Sequence, residues 1–180
     1  MARRAKRNYV NNPDFLEALV EYKKQCKEAE DSGEDLPRVP NYVGDCIFQI
    51  ANRLATKPNF SGYTYKEDMI MDGIENCLLY IGNFDPEKSS NPFAYFTQVI
   101  WFAFLRRIAK EKKQLYVKYK SSHQTIAMSG TFDGGEDLHM HLNTSADYIN
   151  SFIEDYEEKL NKNKKKETEV EETDNAERDE

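Results

Sequence analysis

The chain has 180 residues, with 25 Lys and Arg against 32 Asp and Glu, a net charge of −7. That length suits one domain with appendages, and the most apolar run, the thirteen uncharged residues Phe93–Leu105, is too short for a bilayer, which needs about 20. Residues 1–120 hold 19 basic and 16 acidic residues and residues 121–180 hold 6 and 16, so an acidic whole contains a basic patch.

Residues 1–11 are expected to form a basic flexible N-terminus, with Arg3, Arg4, Lys6 and Arg7 followed by polar residues rather than the apolar core of a signal peptide. Asn12-Pro13 predicts a helix start, with Asn12 as N-cap. Phe15, Leu16, Leu19, Tyr22 and Cys26 then recur at helical spacing. Glu28 to Pro40, acidic and punctuated by Gly33, Pro37 and Pro40, reads as a loop. A second helix is predicted over about Tyr42–Thr56, with Val43, Ile47, Ile50, Ala51 and Leu54 on one face. Asn59–Tyr63 reads as a turn. Thr64-x-x-Glu67 then has the form of a capping box for a helix running to Ile81 and closed by Gly82. Its apolar stripe is Ile70, Ile74, Cys77, Leu78 and Ile81. On its other side Asp68, Asp72 and Glu75 form an acidic line beside Met71. Such a line is a solvated face or a docking strip for a basic partner.

Asn91-Pro92 starts the most distinctive stretch. Six of the twelve residues from Phe93 to Phe104 are aromatic: Phe93, Tyr95, Phe96, Trp101, Phe102 and Phe104. Arg106, Arg107, Lys110, Lys112 and Lys113 follow. Rings followed by cations suit stacked bases and phosphates; a helix apolar all round is equally the description of a core helix. At least some of Trp101, Phe102 and Phe104 must pack inward to hold the helix down. The helix is expected to reach about Val117, and residues 121–144 read as a flexible linker. His139 and His141, two apart, do not make a ligand pair. Residues 145–160 are predicted to form an amphipathic helix carrying Tyr148, Ile149, Phe152, Ile153, Tyr156 and Leu160. Residues 161–180 read as an acidic disordered tail. Cys26, Cys46 and Cys77 lie far apart on apolar helical positions, as buried reduced thiols would. The chain lacks a P-loop, G-x-G-x-x-G, G-x-S-x-G and H-E-x-x-H, and offers no nucleophile with a neighbouring base. The expectation is a protein that is not an enzyme and takes no cofactor or metal.

Taken in order, DMIMDGIENCLLYIGNFD (Asp68–Asp85) and FAYFTQVIWFAFLRRI (Phe93–Ile108) resemble region two of the sigma-70 family of bacterial transcription initiation factors. NYVNN, NFSGYT, NPFAYFTQ and the RRIAKEKK run followed by a Lys-Tyr pair resemble a narrower group, the late-transcription sigma factors of T-even-like bacteriophages. The resemblance covers about Asn8 to Lys120. It implies an all-α fold, a sigma region-two-like domain of about four helices over residues 12–120. It also implies a chain that binds host core RNA polymerase in the cytoplasm of the infected bacterium and directs it to late promoters with an AT-rich element. On the family pattern, Asp68, Met71, Asp72 and Glu75 dock on a coiled coil of the largest polymerase subunit. Phe93, Tyr95 and Phe96 capture bases of the melted non-template strand, with Trp101 nearby. Arg106, Arg107, Lys110, Lys112 and Lys113 hold phosphates of the promoter DNA.

The chain also departs from the family. Val99 and Ile100 stand where it has paired tryptophans, with Trp101 one residue later. Ala103 stands where primary sigma factors place a glutamine for duplex readout, and the loop before Phe93 is one residue longer. No helix-turn-helix like the family's region four is visible after Lys120. The last residues, TEVEETDNAERDE, lack the bulky apolar anchors with which phage late sigmas dock on the sliding clamp. Residues 145–180 are therefore the candidate contact for the polymerase flap, the sliding clamp or a phage co-activator. Two other classes use the same features. A helical single-stranded nucleic-acid-binding module would use the aromatic-basic surface, and an anti-sigma or co-activator would use the acidic strip without reading DNA.

Overall fold

Residues 9–129 and 147–162 are described by a computed structural model, the side chains of 123–129 excepted. The fold is all-α, with no strand among the described residues. Its helices are α1 (Asn12–Ser32), α2 (Asn41–Ala55), the single turn α3 (Pro58–Ser61), α4 (Lys66–Leu79), α5 (Pro92–Ser129) and α6 (147–162). A 3-10 turn, Ile81–Asn83, follows α4. The chain divides into two compact units, Met1–Ala109 and Lys110–Glu180.

In the first unit α1 buries Phe15, Leu19, Tyr22 and Ala29. It begins one residue earlier than the sequence suggests: Asn11 is the N-cap and Asn12 lies inside the helix. It also outlasts Cys26 by nearly two turns. Lys27, Glu28, Ala29 and Glu30 are strong helix formers that outweigh the loop-like acidic composition. Gly33, at φ 72°, then stops it. There the N–H groups of Gly33 and Glu34 return to the carbonyls of Glu30 and Ala29. The Tyr22 hydroxyl donates to the Pro37 carbonyl at 3.3 Å and ties the connection to α1.

Helix α2 carries the core, burying Val43, Cys46, Ile47, Ile50, Ala51, Leu54 and Ala55, and packs against α1, α3 and α4. The stretch read as a turn contains α3, whose Phe60 is fully buried, edge-on to Trp101 at 4.8 Å and Phe104 at 5.1 Å. The expected capping box does not form. The N-cap of α4 is Tyr65, with no side-chain cap, so Glu67 stands at the second helical position, one short of the place a box requires. Tyr65 packs instead on Tyr63, ring centroids 5.2 Å apart. The helix closes at Tyr80, whose N–H reaches the Asn76 carbonyl, two residues before Gly82. Ile81 and Phe84 then plug into the core.

Gly73 lets α4 approach α5. A Cβ there would lie 3.0 Å from both Ile100 Cγ2 and Phe104 Cε1. The N-terminus of α5 is capped twice. Asn91 Oδ1 accepts the Ala94 N–H at 3.1 Å, as its sequence position predicts. Asn12 Oδ1, from α1, accepts the Phe93 N–H at 3.1 Å. Residues 9 and 10, expected in the flexible N-terminus, are packed: Val10 is buried, and Tyr9 meets Phe93 edge-on at 5.7 Å, while residues 1–8 lie outside the described residues.

In the second unit α5 continues as helix to Ser129, past the expected end near Val117 and through the first residues of the predicted linker. Helix α6 appears where amphipathic spacing places it and packs on α5. Tyr116 stacks on Tyr156 at 4.6 Å, and Tyr119 stands edge-on to Phe152 at 5.5 Å. The Tyr116 hydroxyl donates to Glu157 at 2.7 Å and accepts from Lys120 at 2.8 Å, while Lys120 also pairs with Glu157. These bonds pull the Glu157 carboxyl below the usual carboxylate range and raise the Lys120 ammonium. His139, His141 and the tail from 163 onward lie outside the described residues.

Candidate nucleic-acid interface

The thirteen residues singled out in the sequence do not share one environment. On α4, Asp68, Met71 and Glu75 are exposed, Met71 at 65 %. Asp72 is different. Its two carboxylate oxygens accept from Arg107 Nε at 2.6 Å and Nη2 at 2.7 Å, a bidentate pair with the two side chains 29 % and 18 % exposed. Arg106 Nη2 donates to Asn76 Oδ1 at 2.6 Å. Two cations expected to hold phosphates, and one acid expected to meet a partner, therefore join α4 to α5. The reason is geometric: Arg106 and Arg107 lie on the part of α5 within hydrogen-bond reach of Asn76 and Asp72 on α4.

The aromatics divide as helical periodicity requires. Phe96, Ile100, Ala103, Phe104 and Ile108 form the inward stripe. Phe96 was expected on a strand-trapping face but is 0 % exposed, against Phe15 at 5.5 Å, Phe84 at 6.1 Å and Tyr95 at 5.1 Å. A base cannot reach it in this packing. Ala103 is 2 % exposed. Trp101 is half-buried against Phe60, and Phe102 remains exposed. Tyr95 is also half-buried; its hydroxyl reaches the Tyr80 carbonyl at 3.4 Å, and burial raises its phenol pKa. Lys110, Lys112 and Lys113 are exposed and belong to the second unit.

Phe93 stands at an open cleft of about 670 Å³ lined by Tyr9, Ile50, Arg53, Leu54, Thr56, Lys57, Phe93 and Thr97. A smaller recess of about 220 Å³, between Tyr9, Val10, Asn12, Asn91 and Phe93, adjoins the same two rings. The Arg53 guanidinium lies 4.4 Å from the centroid of the Tyr9 ring, a cation–π distance. Burial raises the Tyr9 phenol, and Arg53 partly offsets it. Tyr9, Arg53 and Lys57 were not singled out from sequence. Arg53 and Lys57 are isolated cations there, and nothing in the chain order shows that Tyr9 reaches Phe93.

The three cysteines are free, with Cys46 and Cys77 buried and Cys26 half-buried. Burial pushes the Cys77 thiol up to about 12. No described helix is long and apolar enough to cross a membrane. No protein-family model matches the chain, and a search of curated proteins finds no match either.

Proposed function

We propose that the chain is a sigma factor for phage late promoters. In this reading it binds host core RNA polymerase, recognises an AT-rich element upstream of the start site and holds the melted non-template strand. The observation that carries the reading is the pairing, in family order, of an outward line on α4 (Asp68, Met71 and Glu75) with an α5 whose first turn presents Phe93 beside a cationic cleft. An exposed methionine between carboxylates suits a docking strip, where acids steer a basic partner and the apolar side chain is covered on contact.

The site residues are redistributed accordingly. Asp68, Met71 and Glu75 form the polymerase contact. Asp72 contributes by orienting Arg107 across the α4–α5 seam. Phe93 meets the displaced strand, while Phe96 and Ile100 support the helix from the core. Lys110, Lys112 and Lys113 take phosphates. Stacking of about 1–3 kcal/mol per base is comparable to the few kcal/mol required to unstack one. Strand capture therefore drives opening without nucleotide hydrolysis, most easily at AT-rich sequence.

The test is transcription with bacterial core polymerase on supercoiled and pre-opened AT-rich templates. Initiation at one position that depends on the added chain supports the reading. Binding to single strands without initiation would instead favour the nucleic-acid module, and polymerase binding without initiation the regulator. Glu75→Lys is the direct probe of docking. Charge reversal at Asp72 would also break its pair with Arg107.

A further inference from the structure

We infer that the Tyr9–Arg53–Lys57–Phe93 cleft is a binding site for a nucleotide of single-stranded nucleic acid. The inference rests on the function proposed above and adds to it a site built mainly from residues outside the aromatic-basic helix. The cleft combines three features. Its volume, about 670 Å³, lies within the roughly 300–1,000 Å³ of small-ligand sites. Two rings, Tyr9 and Phe93, line it and meet edge-on at 5.7 Å, with Arg53 resting on the Tyr9 ring. Two cations, Arg53 and Lys57, line the same cleft, and neither has an ion-pair partner among the described residues, in contrast to Arg107.

Both cations are exposed on the C-terminal side of α2 and at the turn after it. Arg53 is not free to wander, because its guanidinium rests over the Tyr9 ring. Its donors remain for a phosphate, and an Arg resting on a ring matches planar, bidentate phosphate recognition. The occupant is therefore anionic and carries a flat apolar face, which describes a nucleotide. An acidic peptide would satisfy the cations and leave the rings unused. The α5 N-terminus adds no anion site, since the Phe93 and Ala94 N–H groups are already bonded to Asn12 and Asn91.

The experiment titrates the full chain with a labelled eight-nucleotide oligodeoxythymidylate, by anisotropy, from low to moderate salt. A poly-glutamate peptide and the duplex form of the oligonucleotide serve as the other arms. Arg53→Ala and Lys57→Ala should each weaken oligonucleotide binding several-fold and reduce the salt slope by about 0.7. Tyr9→Leu should weaken binding about fivefold or more, because it removes a ring of the cleft and the support of the Arg53 guanidinium. Thermal unfolding of each variant checks that the fold persists, and Lys57→Arg should restore binding. The inference is overturned if the wild-type chain does not bind the oligonucleotide. It is equally overturned if Arg53→Ala with Lys57→Ala leaves affinity and slope unchanged, or if poly-glutamate binds as well as the oligonucleotide. Chain-dependent initiation by polymerase, measured separately, distinguishes failure of this site from failure of the sigma reading.

Discussion

Phe96→Ala removes a ring that is fully buried against Phe15, Phe84 and Tyr95. It should cost about 3–5 kcal/mol of stability, read as a shift of the denaturation midpoint, and any loss of promoter opening should track the loss of folded protein. A fully stable variant would show that the ring is not a core element. The bidentate pair of Asp72 and Arg107 allows a second test. A double-mutant cycle to Ala should give a coupling on the order of 1–2 kcal/mol, between the values for exposed and fully buried pairs. Additive single variants would mean that the contact adds nothing to the α4–α5 seam. At both positions residue type alone misleads. An aromatic next to a basic run suits stacking, yet the one-hundred-degree step of the helix assigns Phe96 and Ile100 to the core face. An acid on an acidic line suits docking, yet Arg107 arrives from 35 residues away.

The seam between α4 and α5 depends on Gly73. Gly73→Ala gains about 1 kcal/mol of helix propensity, but its Cβ would press on Ile100 and Phe104, both fully buried, at 3.0 Å. Overpacking of this kind costs about 1–3 kcal/mol, so the net result should be destabilisation of about 1 kcal/mol in denaturant titration; a stabilised variant would show that the seam yields. In the second unit the α5–α6 contact should weaken in acid. Glu157 has a folded pKa below its unfolded value, so its contribution is present above the ordinary carboxylate pKa and is lost as pH falls through the lowered one. Near-ultraviolet dichroism of the Tyr116–Tyr156 stack should report the loss, and Glu157→Gln should flatten the acid response. An unchanged acid response in Glu157→Gln would assign it to another group.

Helix existence and type are legible in the chain wherever apolar spacing is strong: α2, α4, the start of α5 and α6 all lie where periodicity places them. Ends are less legible. The Lys/Glu-rich end of α1 and residues 121–129 of α5 carry little apolar period, so they read as loops although their backbone stays helical. The Thr64–Glu67 motif fails for a similar reason: Tyr65 takes the cap position, and its ring has core to pack on. The cleft is the least legible feature, since it needs Tyr9, Arg53 and Phe93 from three distant parts of the chain.

At the scale of the whole molecule, the first unit holds α4's acid–methionine line and α5's first aromatic turn on one core, while Lys110, Lys112 and Lys113 follow on α5 in the second unit. The proposed function requires that the chain redirect polymerase. Its most direct measurement is transcript mapping with core polymerase on a supercoiled AT-rich template, comparing wild type with Glu75→Lys. The account predicts a single wild-type start site, absent without the chain and lost in Glu75→Lys while its thermal unfolding is unchanged. Polymerase that starts at the same positions with and without the chain, on this template and on a pre-opened one, would contradict it.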